Sequence, residues 1–275
     1  MFGRLATVLG VVLIVAGCSS VPTGFVSGTS VHHLDVGGHD RTYRLHLPGG
    51  LPASAPLVIM MHGVSGSGAQ VEKDYGWDEL ADSAKFLMAY PDGLGKTWNV
   101  DGETCCGRAG REGIDDVGFI RAVVADIARN VGVDPARVYA GGMSNGAIMS
   151  YTLACTTDIF AAIGPVAGVQ LNACPSPRPT SVIHIHGTAD DLVPYRGGPG
   201  FSVINGPPIP DVNAFWRNVD RCGPPNATTD GPVTTSTAGC PDNRGVELIT
   251  IDKGGHDWPA TAAQTLWEFF AAHPR

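Results

Sequence analysis

The chain has 275 residues, 43% of them apolar, and its 18 basic and 26 acidic residues give a formal net charge of −8. This length suits one large core or two small ones. Because no basic cluster occurs, the charge argues against nucleic-acid binding and against electrostatic attachment to anionic lipids.

The N-terminus is typical of an exported protein. Residues 5–16 form an apolar run that is shorter than a membrane span of about 20 residues and fits a signal peptide over residues 1–17. Small residues then lead to Cys18, as in a bacterial lipobox, so we expect cleavage before Cys18 and lipidation of its thiol. The alternative is an ordinary signal peptide with an incidental cysteine. Residues 18–30 are predicted to be a lipidated, flexible tether that holds the protein to a membrane of the cell envelope.

Six cysteines remain once Cys18 is assigned to the lipid, and an even number in an exported chain predicts disulfides. Cys222 and Cys240 bracket a segment rich in Pro, Thr and Gly with little periodicity, so we expect these two to pair.

The other four cysteines are harder to pair. Cys105 and Cys106 are adjacent, and we expect one of them to reach Cys155 or Cys174. The spacings typical of zinc ligands do not occur, so the sequence predicts neither a metal nor another cofactor.

Apolar runs of strand length alternate with helical patterns along the chain. The predicted strands are 31–36, 41–47, 56–62, 86–90, 137–140, 161–166, 181–186 and 246–251. The predicted helices are 77–85, 115–130, 147–154 and 262–272. Gly37-Gly38 predicts a hairpin between the first two strands. Strands separated by helices predict one α/β domain over residues 31–275, with a mostly parallel sheet and helices on both faces.

The segment Gly142-Met143-Ser144-Asn145-Gly146 lies between a predicted strand and a predicted helix, and it matches the G-x-S-x-G nucleophile elbow. Its glycines permit a sharp turn that points the Ser144 hydroxyl outward. The helix N-terminus beneath the serine favours negative charge, which suits a developing oxyanion. On the motif alone, a glycine-rich turn with an incidental serine is the alternative.

A serine nucleophile at such an elbow needs a histidine and an acid further along the chain. We predict His256 as the base, because it lies in a glycine-flexed loop after the last strand. His184 and His186 lie two apart on an apolar strand, where core histidines are expected, and His273 is close to the C-terminus.

Asp190 and Asp191 follow a predicted strand between the serine and the histidine. Asp190 is the predicted acid and Asp191 the alternative. The predicted oxyanion-hole donors are the backbone amides of Asn145, the residue after the nucleophile, and of Val64, in the loop after an early buried strand.

Further motifs occur in a fixed order along the chain: His62-Gly63, Tyr90-Pro91-Asp92-Gly93, Trp98-Asn99, Cys105-Cys106, Asp116-Val117-Gly118-Phe119-Ile120, Gly142-Met143-Ser144-Asn145-Gly146-Ala147, Pro165-Val166-Ala167-Gly168, His186-Gly187-Thr188-Ala189-Asp190, Val193-Pro194-Tyr195 and Gly255-His256-Asp257-Trp258-Pro259. Over residues 30–272 this series resembles the polyhydroxybutyrate depolymerase and feruloyl esterase group of α/β-hydrolases, which includes esterase lipoproteins of the mycobacterial type. The resemblance implies Asp190 as the triad acid. Where relatives often carry Cys, Gly or Thr after His62-Gly63, this chain has Val-Ser-Gly.

The resemblance implies a serine esterase that acts on small or oligomeric esters, of the short-chain hydroxyalkanoate type or of the feruloyl- or acetyl-polysaccharide type. Trp98 and Trp258 are candidates for an aromatic wall that contacts the substrate, although core or rim packing is the favoured interpretation. Two other functions stay open: acyl transfer of the mycolyltransferase type, and a catalytically inactive binding lipoprotein. The sequence does not specify an oligomeric state.

Overall fold

The computed structural model describes residues 25–101 and 105–275. The predicted signal peptide and the lipidation site Cys18 lie outside the described residues. The predicted tether, residues 18–30, extends three residues too far along the chain. The first strand already begins at Gly28, and the Ser30 side chain is fully buried. Residues 28–30 belong to the sheet instead, since their strand pairs along its whole length with the next one.

The strands are β1 Gly28–Val36, β2 His39–Leu47, β3 Ala55–Met61, β4 Leu87–Pro91, β5 Val133–Met143, β6 Ala162–Val166, β7 Ser181–Gly187, β8 Gly198–Pro199, β9 Asn205–Gly206, β10 Asn226–Asp230, β11 Val233–Gly239 and β12 Gly245–Ile251. The helices are α1 Gly68–Asp74, α2 Trp77–Ala84, α3 Gly107–Arg111, α4 Asp116–Asn130, α5 Asn145–Thr156, α6 Ile209–Val219 and α7 Ala262–Ala272. A short 3-10 turn covers Leu94–Lys96.

Ten strands form one sheet in the order β1-β2-β4-β3-β5-β6-β7-β12-β11-β10. The six central strands, from β4 to β12, run parallel. Antiparallel hairpins extend both edges. This architecture confirms the predicted α/β fold with a mostly parallel sheet.

Strand β3 shows how the sheet is covered on both faces, because every one of its residues is buried. Leu57, Ile59 and Met61 pack in the core that holds α4, α5 and α6. Val58 and Met60 point the other way, into the core that holds α1, α2 and α7. A strand buried on both faces has a continuous apolar sequence, as predicted for this run.

The cysteine pairings are only partly as predicted. Cys222 is bonded to Cys240, as expected. The expectation that Cys105 or Cys106 reaches Cys155 or Cys174 is wrong, because Cys105 is bonded to Cys106 and Cys155 to Cys174. The two pairs lie near opposite ends of helix α5. The Cys106 amide donates to the Trp98 carbonyl oxygen, and Trp98 is hydrogen-bonded to Asn145, the first residue of the helix. Cys155 lies in the last turn of the same helix.

Several elements lie where no regular structure was predicted, including the short elements α1, α3, β8 and β9. The segment between Cys222 and Cys240 contains the β10–β11 hairpin, and residues 209–219 form helix α6. No helix within residues 25–101 and 105–275 has the length and apolarity needed to cross a membrane.

Candidate active site

Ser144 lies at the turn between β5 and α5, with φ 56° and ψ −120°. This left-handed conformation is unfavourable for a residue with a Cβ atom and is typical of strain stored at functional sites. A hydrogen bond of 2.9 Å from the Ser144 amide to the carbonyl oxygen of Val166 on β6 holds the turn. The structure therefore has the backbone geometry of a nucleophile elbow.

Two glycines allow this turn because the chain passes close to itself. A Cβ atom at Gly142 would lie 2.5 Å from the carbonyl carbon of Gly146. A Cβ atom at Gly146 would clash with the carbonyl oxygen of Met61, at the end of β3. Helix α5 can therefore begin directly against β3 and β5 only with glycine at both positions.

Asp190 and His256 meet although 66 residues separate them, because they follow the neighbouring strands β7 and β12. The His256 ring atom Nδ1 lies 2.8 Å from Asp190 Oδ2. The two loops are tied together by a hydrogen bond of 2.9 Å from the Ala189 amide to the Gly254 carbonyl oxygen. Since a carboxylate only accepts, Nδ1 of His256 carries the hydrogen.

The other oxygen of Asp190 is also occupied. Oδ1 accepts hydrogen bonds from the amides of Leu192, at 2.9 Å, and Val193, at 2.8 Å. Burial raises the pKa of the Asp190 carboxyl, but hydrogen bonds from His186, His256 and Val193 outweigh burial and hold the pKa well below its ordinary value. Asp190 is therefore a fixed, ionised carboxylate.

Asp191, the alternative acid, is exposed. Within the part of the chain that the structure describes, its side chain makes no hydrogen bond or ion pair. Only Asp190 of the two aspartates contacts the histidine.

Ser144 and His256 line one cavity of about 760 Å³. Among the described residues, no hydrogen bond joins these two side chains. Hydrogen bonds between a nucleophile and its base are often long in substrate-free enzymes. The cavity gives a carbonyl carbon access to the serine and the histidine together.

The loop after β3 lies against the nucleophile. A Cβ atom at Gly63 would be 3.2 Å from Ser144 Cβ, and the next residue, Val64, lines the cavity. The next two amides already form hydrogen bonds. The Ser65 amide donates to the Lys96 carbonyl oxygen at 2.9 Å, and the Gly66 amide donates to the Gly63 carbonyl oxygen at 3.1 Å. The Asn145 amide is in the first turn of α5, where amides have no partner within the helix.

His62 fixes the start of this loop. Its Nδ1 donates to the Gly63 carbonyl oxygen at 2.7 Å, and its Nε2 accepts from the Gly93 amide at 2.9 Å. Burial lowers the pKa of His62, so the ring is neutral, as this pair of hydrogen bonds requires. The motif Tyr90-Pro91-Asp92-Gly93 thus supports the loop beside Ser144.

Both tryptophans have packing roles, which was the favoured interpretation, and neither forms a wall of the cavity. Trp98 is fully buried and does not line the cavity, because its indole Nε1 donates to the His62 carbonyl oxygen at 2.8 Å. Trp258 does not line the cavity either, but stacks on Tyr75 with ring centroids 4.1 Å apart. The aromatic residues that line the cavity are Tyr75 and Phe201.

Most of the cavity wall was not identified from the sequence. Besides the residues already named, the lining contains Gln70, Cys106, Gly107, Arg111, Met143, Leu192, Val193, Phe201, Ser202, Val203 and Ile204. These residues belong to loops and element ends without periodicity, so hydrophobic patterning carried no signal for them. Of these residues, Cys106, Met143 and Val193 belonged to motifs that the sequence analysis recognised.

His184 and His186 are buried on β7 and hydrogen-bonded to each other, with His184 Nε2 2.9 Å from His186 Nδ1. They are core histidines, as expected. Among residues 25–101 and 105–275, no group of three or more His, Cys, Asp or Glu side chains could hold a metal ion.

A family model described as "Esterase PHB depolymerase" matches residues 41–194. The chain belongs to this family. It is therefore an ester hydrolase of the serine type. The putative esterase NocK of Nocardia uniformis subsp. tsuyamanensis is 35% identical over 260 residues, which cover 84% of this chain and 74% of that protein.

This esterase is also similar to fungal proteins. Feruloyl esterase B of Piromyces equi is 33% identical over 74% of this chain, although the match spans only 40% of that longer protein. The probable feruloyl esterase C of Aspergillus oryzae is 29% identical, with 94% of this chain and 91% of that protein covered. Among solved structures, the acetyl xylan esterase from Aspergillus awamori has a TM-score of 0.68 at 17% identity, over 88% of this chain and 99% of that one, which shows the shared α/β-hydrolase fold.

Proposed function

We propose that Ser144, His256 and Asp190 form a catalytic triad that hydrolyses carboxylic esters through an acyl-enzyme. The observation that carries the proposal is the hydrogen bond of 2.8 Å between His256 Nδ1 and the buried Asp190 carboxylate. It leaves His256 Nε2 as the basic nitrogen, in a ring that shares its cavity with a serine on strained backbone.

In the first half of the reaction, Ser144 Oγ bonds to the ester carbonyl carbon while His256 Nε2 takes the hydroxyl proton. The amides of Val64 and Asn145 stabilise the negative charge on the carbonyl oxygen. The carbon–oxygen bond to the alcohol then breaks, and the alcohol leaves with the proton from His256. Asp190 stabilises the transient imidazolium and stays ionised throughout.

In the second half, water attacks the acyl-enzyme and gives one proton to His256. The bond between the acyl carbon and Ser144 Oγ then breaks, and the proton returns to the serine as the acid leaves. No step requires a metal or an organic cofactor.

The proposed substrates are short-chain hydroxyalkanoate esters and feruloyl- or acetyl-polysaccharide esters. The names of the relatives support this range: feruloyl esterases, an acetylxylan esterase/xylanase, and a poly(3-hydroxyalkanoate) depolymerase that is 32% identical over 59% of this chain. We further propose that the protein is exported and held to a membrane by a lipid on Cys18.

The test of the reaction is kcat/KM of the purified protein on methyl ferulate and on a 3-hydroxybutyrate trimer, with Ser144→Ala as the blank. We expect Ser144→Ala to lose at least about 10³-fold in kcat. A variant that keeps a tenth of the wild-type rate would overturn the assignment of the nucleophile. The ratio of the two wild-type values ranks the two substrate classes.

The test of the anchor is separate from activity. Cells that express the full chain are labelled with a radioactive fatty acid, and the Cys18→Ser variant serves as the control. Label in the wild type alone supports lipidation at Cys18. Absence of label in both the wild type and Cys18→Ser would contradict it.

A further inference from the structure

The exposed apolar side chains cluster around the cavity. Among the described residues, the exposed large hydrophobic side chains are Val26, Val64, Leu192, Phe201 and Val203, with 44%, 41%, 37%, 54% and 50% of their surface accessible. All but Val26 line the cavity that contains Ser144. Contiguous exposed apolar surface marks binding sites on soluble proteins.

A closed turn holds two of these side chains in place. Strands β8 and β9 pair through Gly198 with Gly206 and Pro199 with Asn205. Between them, the Ile204 amide donates to the Phe201 carbonyl oxygen at 3.1 Å, while the Ile204 side chain is buried. The turn is thus anchored from below by Ile204, and Phe201 and Val203 project from it into solvent.

The same turn is attached to the loop of the catalytic acid. The Phe201 amide donates to the Leu192 carbonyl oxygen at 2.8 Å, and Leu192 follows Asp190 by two residues. The apolar rim is therefore fixed relative to the reacting groups, which a substrate-binding surface requires.

The chemistry of this rim favours one kind of ester. A sugar hydroxyl that leaves water needs a hydrogen-bond partner, and the rim side chains of Val64, Leu192, Phe201 and Val203 offer none. A methylene chain gains free energy from the same surface. On the basis of the proposed esterase function, we propose that the rim binds an aliphatic chain of several carbons, so that esters of medium-chain acids are preferred to acetates.

The test is a series of p-nitrophenyl esters from acetate to decanoate, each assayed below its solubility limit. We expect wild-type kcat/KM to rise about twofold to fourfold per added methylene group, the upper value corresponding to complete burial. The double variant Phe201→Ser/Val203→Ser should reduce the ratio of decanoate to acetate at least tenfold.

Val26→Ser is the matched control, since Val26 is similarly exposed but lies outside the cavity lining. We expect it to keep the wild-type ratio. A flat wild-type series, or an equal loss of slope in the control, would overturn the proposal. Failure of the proposed triad is distinguishable, because Ser144→Ala would then keep the wild-type activity on every ester.

A second, independent observation concerns the core histidine His186. Its Nε2 lies 2.8 Å from the Val193 carbonyl oxygen and 3.3 Å from Asp190 Oδ2, and both side chains of the histidine–aspartate pair are completely buried. Because both oxygens can only accept, Nε2 carries a hydrogen. Asp190 Oδ2 thus has two histidine neighbours, His186 and His256.

His186 is itself held by a buried chain of polar groups. His184 Nε2 lies 2.9 Å from His186 Nδ1, and the Tyr151 hydroxyl lies 2.6 Å from His184 Nδ1. Burial, with a smaller effect of His186, lowers the pKa of His184 well below its ordinary value. This chain fixes the ring plane of His186 and so the direction of its Nε2 hydrogen.

The geometry points to His186 as a positioning residue that orients the Asp190 carboxylate toward His256. The backbone amides hold Oδ1, and His186 Nε2, which is hydrogen-bonded to the Val193 carbonyl oxygen, lies 3.3 Å from Oδ2, the oxygen that His256 Nδ1 contacts. This proposal also rests on the proposed triad, but it concerns a residue that does not touch the substrate.

The test compares His186→Leu, which removes the donor, with His186→Gln, which keeps a donor near the Nε2 position. We expect His186→Leu to lower kcat at least tenfold with KM changed less than about twofold, and His186→Gln to restore most of the loss. Tyr195→Phe is the control, because Tyr195 contacts the edge of the His186 ring but its hydroxyl lies 2.9 Å from Thr250 Oγ1.

The melting temperature of each variant separates positioning from stability. If His186→Leu keeps its kcat, or if Tyr195→Phe loses kcat as severely, His186 is only a packing residue. If Ser144→Ala is fully active, the triad itself is wrong, which is a different outcome.

Discussion

The side chain of Asn145 forms hydrogen bonds with both backbone polar groups of Trp98. Asn145 Oδ1 accepts from the Trp98 amide at 2.7 Å, and Asn145 Nδ2 donates to the Trp98 carbonyl oxygen at 3.2 Å. Both residues are buried. The residue after the candidate nucleophile is therefore fixed by its side chain, while its backbone amide stays available to an oxyanion.

This relationship predicts the effect of Asn145→Ala. The substitution keeps the backbone amide but leaves two buried groups of Trp98 without partners, at about 1–3 kcal/mol each. We expect a loss of about 2–6 kcal/mol in the free energy of unfolding and at least a tenfold loss in kcat, because the amide is no longer held in place.

The measurements are urea unfolding and kcat on a p-nitrophenyl ester at a temperature where both proteins are folded. Asn145→Asp is the informative companion, since it keeps the acceptor and removes the donor, and should place a negative charge against the Trp98 carbonyl oxygen. An Asn145→Ala variant with wild-type stability would contradict the pairing.

The second prediction separates the two adjacent aspartates. Asp190→Asn removes the charge that stabilises the His256 imidazolium, and we expect kcat to fall by on the order of 10²–10⁴-fold. Asp191 is exposed and does not contact His256, so Asp191→Asn should stay within about twofold of the wild type. Steady-state kinetics of both variants decide the matter, and the opposite ranking would exchange their roles.

The sequence predicted the parts of the molecule where patterning is strong. The central strands are buried on both faces, so apolar runs such as Ala55–Met61 are unmistakable. The elbow at Ser144 and the loop positions of Asp190 and His256 follow from chain order, because parallel strands deliver their loops to one edge of a sheet.

The parts that were missed share a physical cause. Strand β10 is exposed along its whole length, so its residues show no alternation of apolar and polar side chains. The cavity wall at Phe201 and Tyr75 depends on which loops meet in space, and spacing along the chain does not encode that. Trp98 resembled a substrate contact because aromatic residues serve both purposes.

The third prediction concerns the disulfide between Cys222 and Cys240, which are 18 residues apart. Closing a loop of this length restricts the unfolded chain and contributes about 3 kcal/mol. The double variant Cys222→Ala/Cys240→Ala should lose about that much stability. Because no residue of the segment lines the cavity, kcat at low temperature should be unchanged.

Denaturant unfolding and kcat of this double variant are measured on the same preparation. Reduced activity well below the melting temperature would show that the β10–β11 hairpin influences the cavity. An unchanged unfolding midpoint would show that the hairpin is not part of the cooperative unit.

The last prediction is a pH dependence of stability that arises at Asp220. Its carboxyl is fully buried at the end of α6, and burial raises its pKa to about 7, although Arg244 Nε, 3.1 Å from Oδ1, offsets part of that rise. The unfolded value is about 3.9, so between about pH 4 and about pH 7 the folded state binds more protons than the unfolded state. The contribution of Asp220 to stability therefore falls as pH rises through this window.

Asp220→Asn should remove that decline in urea unfolding from about pH 5 to about pH 7. Asp242→Asn is the control, because Asp242 is exposed and contacts the same Arg244. Equal slopes in the two variants would assign the decline to another group.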